Sequence, residues 1–365
     1  MKKLMIVMGT RPDAIKLCPL VRELKSRNKI LVKVCATGQH REMLDSTLGV
    51  FSIKPDFDFD VMRTGQSHTG VIARILRRMD ETLTTETPDM VMVQGDTATA
   101  FSAALAAFQC RIPVAHIEAG LRTYHLHSPF PKELYRESIS LMSEYHFAPN
   151  VTAKRNLIRE GREEKKILVT GNTVVDALRH TLSLKRPHAA WSVPKGKRLV
   201  VFTAHRRENF GEPLEGMFRA LKRLAEAHPD IVVLCPLHHN PEVRSAASIL
   251  RDCEGIQIIE PPDVVSFHRL LSLCKLVLTD SGGVQEEATA LGIPTVLMRF
   301  STERTEGLLA GNLKLAGTTE EGIFTLADMI LQPHSEVYES MKKPSAVLGK
   351  GCASRRIADA IERWI

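Results

Sequence analysis

Residues 276–288 read Leu-Val-Leu-Thr-Asp-Ser-Gly-Gly-Val-Gln-Glu-Glu-Ala, and the fold class follows from this stretch. Leu276–Thr279 is a short apolar run with β-branched residues, which predicts a buried strand. Ser281-Gly282-Gly283 predicts a tight turn, and Val284–Leu291 a helix. A strand that passes through glycine straight into a helix is the βα unit of a parallel sheet. Backbone N–H groups at such a helix start, here Ser281, Gly282 and Gly283, can cradle a diphosphate. Glu287, one turn further on, is placed to bind ribose hydroxyls.

The same unit recurs in both directions along the chain. Upstream, Leu4–Met8, Val32–Ala36, Met90–Gln94, Val114–Ile117 and Tyr145–Ala148 read as strands. Ile15–Ser26, Thr69–Thr85 and Thr97–Cys110 read as helices between them. The pattern restarts with strands at Arg198–Thr203, Ile231–Cys235, Ile256–Ile259 and Thr295–Met298. Its helices are Leu214–His228, Val265–Cys274 and Glu320–Leu331. Leu184–Gly196, with Pro187 and Pro194, is the best linker. The chain is therefore expected to be α/β, with two Rossmann-like domains facing a central cleft. Residues 1–170 form the first and 171–351 the second, with a closing helix at 352–365 packed back on the first.

Composition narrows the function. A chain of 365 residues with 44% hydrophobic and 25% charged residues suits a globular protein of two domains. The net charge is +7, but the basic residues are scattered and aromatics make up only 5%. With no basic arm, nucleic acid is not the expected partner, and an anionic small molecule is. The seven cysteines form no C-x-x-C pair and sit mostly in apolar runs, which fits a reducing cytoplasm. The opening Met-Lys-Lys and apolar run are too short for a signal or a membrane span, so no membrane association is expected.

Several strand ends carry chemistry. The first opens onto Gly9-Thr10-Arg11-Pro12-Asp13, where N–H groups and Arg11 are expected to favour an anion. Asp96 and Glu118 follow two further strands, and paired carboxylates are the usual material of proton transfer. His205 stands beside two arginines at a strand end. His238 and His239 lack the spacing of a metal motif, so neither metal nor cofactor is expected.

These motifs, in this order, resemble the non-hydrolysing UDP-N-acetylglucosamine 2-epimerase family. The matching stretches are GTRPDAIKLCPL (9–20), GQHREML (38–44), GDTATA (95–100), HIEAGLRT (116–123) and VTGNTVVDAL (169–178). HRREN (205–209), HHNP (238–241), TDSGGVQEEA (279–288), TERTEG (302–307) and GCASRRIADAI (351–361) continue the match. The resemblance implies a glycosyltransferase-B-like fold, a UDP-sugar substrate, a homodimer, and interconversion of UDP-GlcNAc and UDP-ManNAc for polysaccharide or specialised sugar synthesis. It implies UDP contacts at Arg11, His238, Phe267, Ser281, Gly282, Gly283 and Glu287, with Phe267 stacking on uracil. Lys16, Asp96, Glu118, Lys132, Arg136 and His205 fall at catalytic positions. Gln39, His40, Arg41 and Gln66 resemble a site where some bacterial members bind a second UDP-sugar.

The chain departs from the family pattern on the sugar side. Lys132 stands where the family has a glutamate, with Tyr124, His125, His127 and Tyr135 changed around it. Glu133 is one position away, which on a helix turns a side chain by about 100°. Three alternatives stay open on this ground: a hydrolysing relative that releases ManNAc and UDP, a sugar-transfer enzyme, and a UDP-sugar sensor without turnover.

Overall fold

The computed structural model describes residues 1–38, 41–63, 65–185, 191–343 and 345–365. Two parallel sheets flanked by helices make an α/β fold. The first contains β1 (Lys3–Met8), β2 (Leu31–Ala36), β3 (Phe57–Asp58), β4 (Met90–Gln94), β5 (Val114–Ile117), β6 (Tyr145–Ala148) and β7 (Ile167–Val169). Their spatial order is β3-β2-β1-β4-β5-β6-β7. The second contains β8 (Arg198–Thr203), β9 (Ile231–Pro236), β10 (Ile256–Ile259), β11 (Leu276–Thr279), β12 (Thr295–Leu297) and β13 (Leu313–Leu315). Their order is β10-β9-β8-β11-β12-β13. Both sheets reverse direction of winding once, between β1 and β4 and between β8 and β11. Ligands of such sheets bind at the carboxyl ends of the strands beside that reversal.

Two compact units result, 1–181 with 349–365, and 182–348. The division in the sequence reading fell earlier, at 170/171, because the helix Thr173–Ser183 carries no break that marks it as part of the first unit. The linker reading at 184–196 falls partly outside the described residues. The closing helix Ala353–Trp364 belongs to the first unit. Its buried Ile357, Ala358 and Ile361 face the sheet's helices, and Trp364 stacks on Tyr145 with ring centroids 4.5 Å apart. Arg27 joins it through Asp359 and Glu362.

Strand β8 shows why the second sheet is buried on both faces. Val200 and Phe202 enter one apolar cluster with Leu214, Met217 and Phe218, while Leu199 and Val201 enter another with Phe267, Leu270 and Leu271. Successive side chains alternate across the sheet, so a continuous apolar run feeds two cores. The strands β3, β7 and β13, absent from the sequence reading, are two- or three-residue pieces. Runs that short show no periodicity to read. Among the described residues, no helix is long and apolar enough to cross a membrane.

Candidate active site

The helix Arg11–Arg27 starts directly after β1, four residues before Ile15, because Thr10 and Asp13 form a capping box. The Asp13 carboxylate accepts the N–H groups of Gly9 and Thr10, both at 3.1 Å, and Thr10 Oγ1 accepts that of Asp13. Pro12 has no N–H to offer. The N–H groups of Gly9 and Thr10 at this helix start are thus taken by the chain's own carboxylate. Arg11 remains there, partly buried. Burial pushes the Asp13 carboxyl up to about 6, against the pull of the Gly9 and Thr10 donors.

Asp96 and Glu118 follow β4 and β5, next to each other in the sheet. Asp96 is buried. Its Oδ2 accepts Arg136 Nε at 2.8 Å and Oδ1 accepts Lys132 Nζ at 3.1 Å. Lys132 opens the helix Lys132–Met142, and its side chain is 46% exposed while those of Asp96 and Arg136 are 7% and 3%. Glu133 is a different kind of residue. It is fully buried, accepts the N–H groups of Thr123 and Tyr124 at 2.7 and 2.8 Å, and pairs with Arg136 Nη1 at 3.0 Å. It ties the loop before the helix to the helix itself. The group that reaches the surface beside Asp96 is an ammonium.

Glu118 sits at φ 63, a left-handed conformation that non-glycine residues adopt at a cost of the order of 1–3 kcal/mol. Its buried carboxylate accepts Lys16 Nζ and, at 3.1 Å, Asn172 Nδ2. Asn172 belongs to the stretch after β7 and was not singled out as a site residue from the sequence. Behind the carboxylates, His116 Nε2 meets the carbonyl of Gly95 at 2.9 Å. A carbonyl only accepts, so Nε2 carries the ring proton. Burial holds His116 down to about 4.

Of the residues that resemble a second UDP-sugar site, Gln39 and His40 lie outside the described residues. Arg41 is bound to Asp45 at 2.8 Å and Asp58 at 2.6 Å. Gln66 accepts the N–H of Arg63 and the Arg74 guanidinium.

In the second unit the helix Gly282–Leu291 begins immediately beyond β11, capped by Ser281. Ser281 Oγ accepts the N–H of Val284 at 3.5 Å, and its carbonyl accepts that of Gln285. Gly282 and Gly283 occupy the first two positions of the helix, where backbone N–H groups have no acceptor within the helix. A Cβ on Gly283 would meet nothing within 4 Å, so packing does not require glycine there. On Gly282 it would stand 2.9 Å from the Arg304 guanidinium. Arg304, which the sequence reading did not select, is buried and held by Glu286 and Glu303. Glu287 is buried, with Oε1 3.4 Å from His268 Nε2 and, among the described residues, no donor on Oε2.

Asp280, also not selected, organises the loop after β8. It is fully buried and accepts the backbone N–H groups of His205 and Arg206 at 3.1 and 3.0 Å, and Asn209 Nδ2 at 3.1 Å. Burial alone would raise its carboxyl; His205 and these donors outweigh it and bring it to about 2. His238 is exposed, its ring 5.8 Å from that of His205. Its Nδ1 accepts the N–H of Asn240, so in the neutral ring the proton is on Nε2. Phe267 is only 8% exposed and packs in the core with Leu199 and Val201, so little of its ring reaches the surface. Among the described residues no three His, Cys, Asp or Glu side chains converge as metal ligands.

Comparison with known proteins adds independent observations. The family model described as UDP-N-acetylglucosamine 2-epimerase matches residues 22–362. The UDP-N-acetylglucosamine 2-epimerase of Bacillus subtilis (strain 168) is 46% identical, covering 98% of this chain and 94% of its own. The crystal structure of the UDP-GlcNAc 2-epimerase from Neisseria meningitidis, bound to UDP-GlcNAc, superposes with a TM-score of 0.95 at 40% identity over 100% of both chains. A glycotransferase of kitacinnamycin shares the fold alone, with a TM-score of 0.64 at 13% identity over 100% of this chain and 99% of its own. The sequence match spans nearly the whole chain and both sheets, and the chain belongs to the UDP-N-acetylglucosamine 2-epimerase family of isomerases.

Proposed function

We propose that the protein interconverts UDP-GlcNAc and UDP-ManNAc by eliminating UDP across C1–C2 and adding it back. The observation that carries this reading is the βα turn after β11. Two N–H groups stand at a helix start, with a buried Glu287 oxygen, undonated among the described residues, one turn away. That pairing suits a diphosphate and a ribose. His238 Nε2–H and Arg304 add donors and positive charge to the same unit.

The chemistry explains the rest of the residue set. C2–H of a hexose is not acidic until departure of UDP builds oxocarbenium character at C1. The leaving diphosphate needs fixed donors, and C2 needs a base on one face and an acid on the other. Asp96 and Glu118 are the proposed groups at the sugar, each steadied by cations: Arg136 and Lys132 for the first, Lys16 for the second. His205 is the proposed group at the diphosphate. The hydrolytic and transfer alternatives gain no observation of their own, since Lys132 joins Asp96 rather than opening a separate acceptor site.

Two finer features belong to the same reading. Exposed Phe108, Leu134 and Leu141 on the packed helices Ala98–Gln109 and Lys132–Met142 support a homodimer, which light scattering on the purified chain tests. Seven free cysteines fit a reducing compartment, where an activated N-acetylmannosamine would feed polysaccharide assembly. The function itself is tested by NMR of UDP-GlcNAc with the protein in heavy water. UDP-ManNAc with deuterium at C2 is expected. Free ManNAc with UDP would mean hydrolysis, and binding without exchange would overturn catalysis altogether.

A further inference from the structure

We propose that Asp280 is a positioning residue that fixes the ring tautomer of His205. Four elements of geometry support it. Asp280 is fully buried at the carboxyl end of β11, and His205 follows β8, the neighbouring strand in the sheet. The carboxylate accepts the backbone N–H of His205 with both oxygens, at 3.2 and 3.1 Å, so the residue is held at its root. The ring lies against the same carboxylate, with Nδ1 3.2 Å from Asp280 Oδ1, an ion-pair distance. Arg206 clasps the loop from the other side, donating its N–H to the carboxylate and its Nε to the Asp280 carbonyl at 2.8 Å.

An ionised carboxylate has no proton to give, so the hydrogen between the two groups sits on Nδ1. In the neutral ring, Nε2 is then an unprotonated acceptor. The His205 side chain is 42% exposed while Asp280 is sealed, which makes Nε2 the end available to a ligand. The same logic operates where a buried carboxylate orients the histidine of a hydrolase triad. Position matters as much as protonation. Asp280 is the residue immediately before Ser281-Gly282-Gly283, so one side chain registers His205 against the first N–H groups of the next helix. The stacked His238 presents the opposite chemistry, an Nε2–H donor, 5.8 Å away between ring centroids. The two imidazoles thus offer one acceptor and one donor at adjacent strand ends.

The catalytic part of this inference rests on the proposed function; the tautomer does not. The test therefore begins on the ligand-free protein. With histidine labelled at both ring nitrogens, the His205 signal is assigned as the one missing in His205→Gln. The wild type is expected to show Nδ1–H with bare Nε2; an Nε2–H ring there overturns the proposal, whether or not the protein turns over any sugar. Asp280→Asn is expected to move the ring to the Nε2–H form. Its kcat for UDP-GlcNAc should fall by roughly 10⁴-fold, the scale seen when a triad carboxylate becomes an amide, with KM within about threefold. A kcat within twofold of wild type would overturn the positioning role. Should Asp280→Asn fail to fold, the wild-type tautomer alone decides. Absence of turnover by the wild type would count against the epimerase reading and not against the dyad.

Discussion

Glu133 is fully buried with its oxygens accepting from Thr123, Tyr124 and Arg136, whereas the neighbouring Lys132 is half-exposed with its ammonium on Asp96. Removing the Glu133 carboxylate leaves the Thr123 and Tyr124 N–H groups without this acceptor and Arg136 with Asp96 alone, at a cost of about 1–3 kcal/mol. Glu133→Ala is therefore expected to lose that much in urea denaturation. An exposed pair contributes under about 1 kcal/mol, so Lys132→Ala should unfold close to wild type. Its kcat, by contrast, should fall at least about tenfold, the worth of one charge-assisted hydrogen bond. Equal stability losses in the two variants would contradict this division. Glycine gives a second case. A methyl at Gly283 meets no protein atom and favours the helix, so Gly283→Ala should keep its melting temperature. UDP binding, measured by calorimetry, should weaken about tenfold or more, because the methyl projects beside the first N–H groups of the helix. Unchanged UDP affinity would remove the diphosphate from this turn.

At the scale of elements, β5 and β6 carry a pH dependence. His116 and His146 lie opposite each other in the sheet register, both buried and each with no partner on Nδ1 among the described residues. Burial holds His116 down to about 4 and His146 to about 3. Below the ordinary value of 6.5 the unfolded chain takes up protons that these folded rings refuse. Each histidine's stabilising share is therefore present above about pH 6.5 and is lost as pH falls toward the folded values. Asp13, raised to about 6, works in the opposite direction between that pH and its ordinary value, since there the folded form holds the extra proton. Substituting His146 by Gln isolates one contribution. From pH 6.5 to 4.5 its stability should fall less steeply than wild type, by about 1.4 kcal/mol per pH unit. Parallel pH profiles would mean that His146 titrates normally in the fold. At this same scale the sequence was most legible. The long strands and amphipathic helices stood out because each buries a periodic face. The helix Arg11–Arg27 was read late because its first turn is defined by a cap and a proline rather than by apolar spacing.

For the whole molecule, the closing helix belongs to the first unit although it follows the second in the chain. Ala353–Trp364 buries Ile357, Ala358 and Ile361 and places Trp364 against Tyr145 and Phe147 of the first unit. Deleting residues 353–365 removes several fully buried side chains, each worth about 1.5–3 kcal/mol. The first unit is expected to melt earlier and to become sensitive to limited proteolysis, while cleavage within 198–331 stays slow. A deletion variant with wild-type melting would show that the helix is dispensable. By itself the sequence determined the α/β class, the recurrent βα unit and the nucleotide motif, because those depend on local periodicity and on short contiguous strings. Tertiary structure alone decided what the motifs' side chains do. Asp13 turned back to cap its own helix, Glu133 went to the core and Lys132 to the surface, and Asp280 closed on His205. The partners in that last pair are 75 residues apart in the chain. Burial and hydrogen bonding between such distant segments leave no periodic trace in the string.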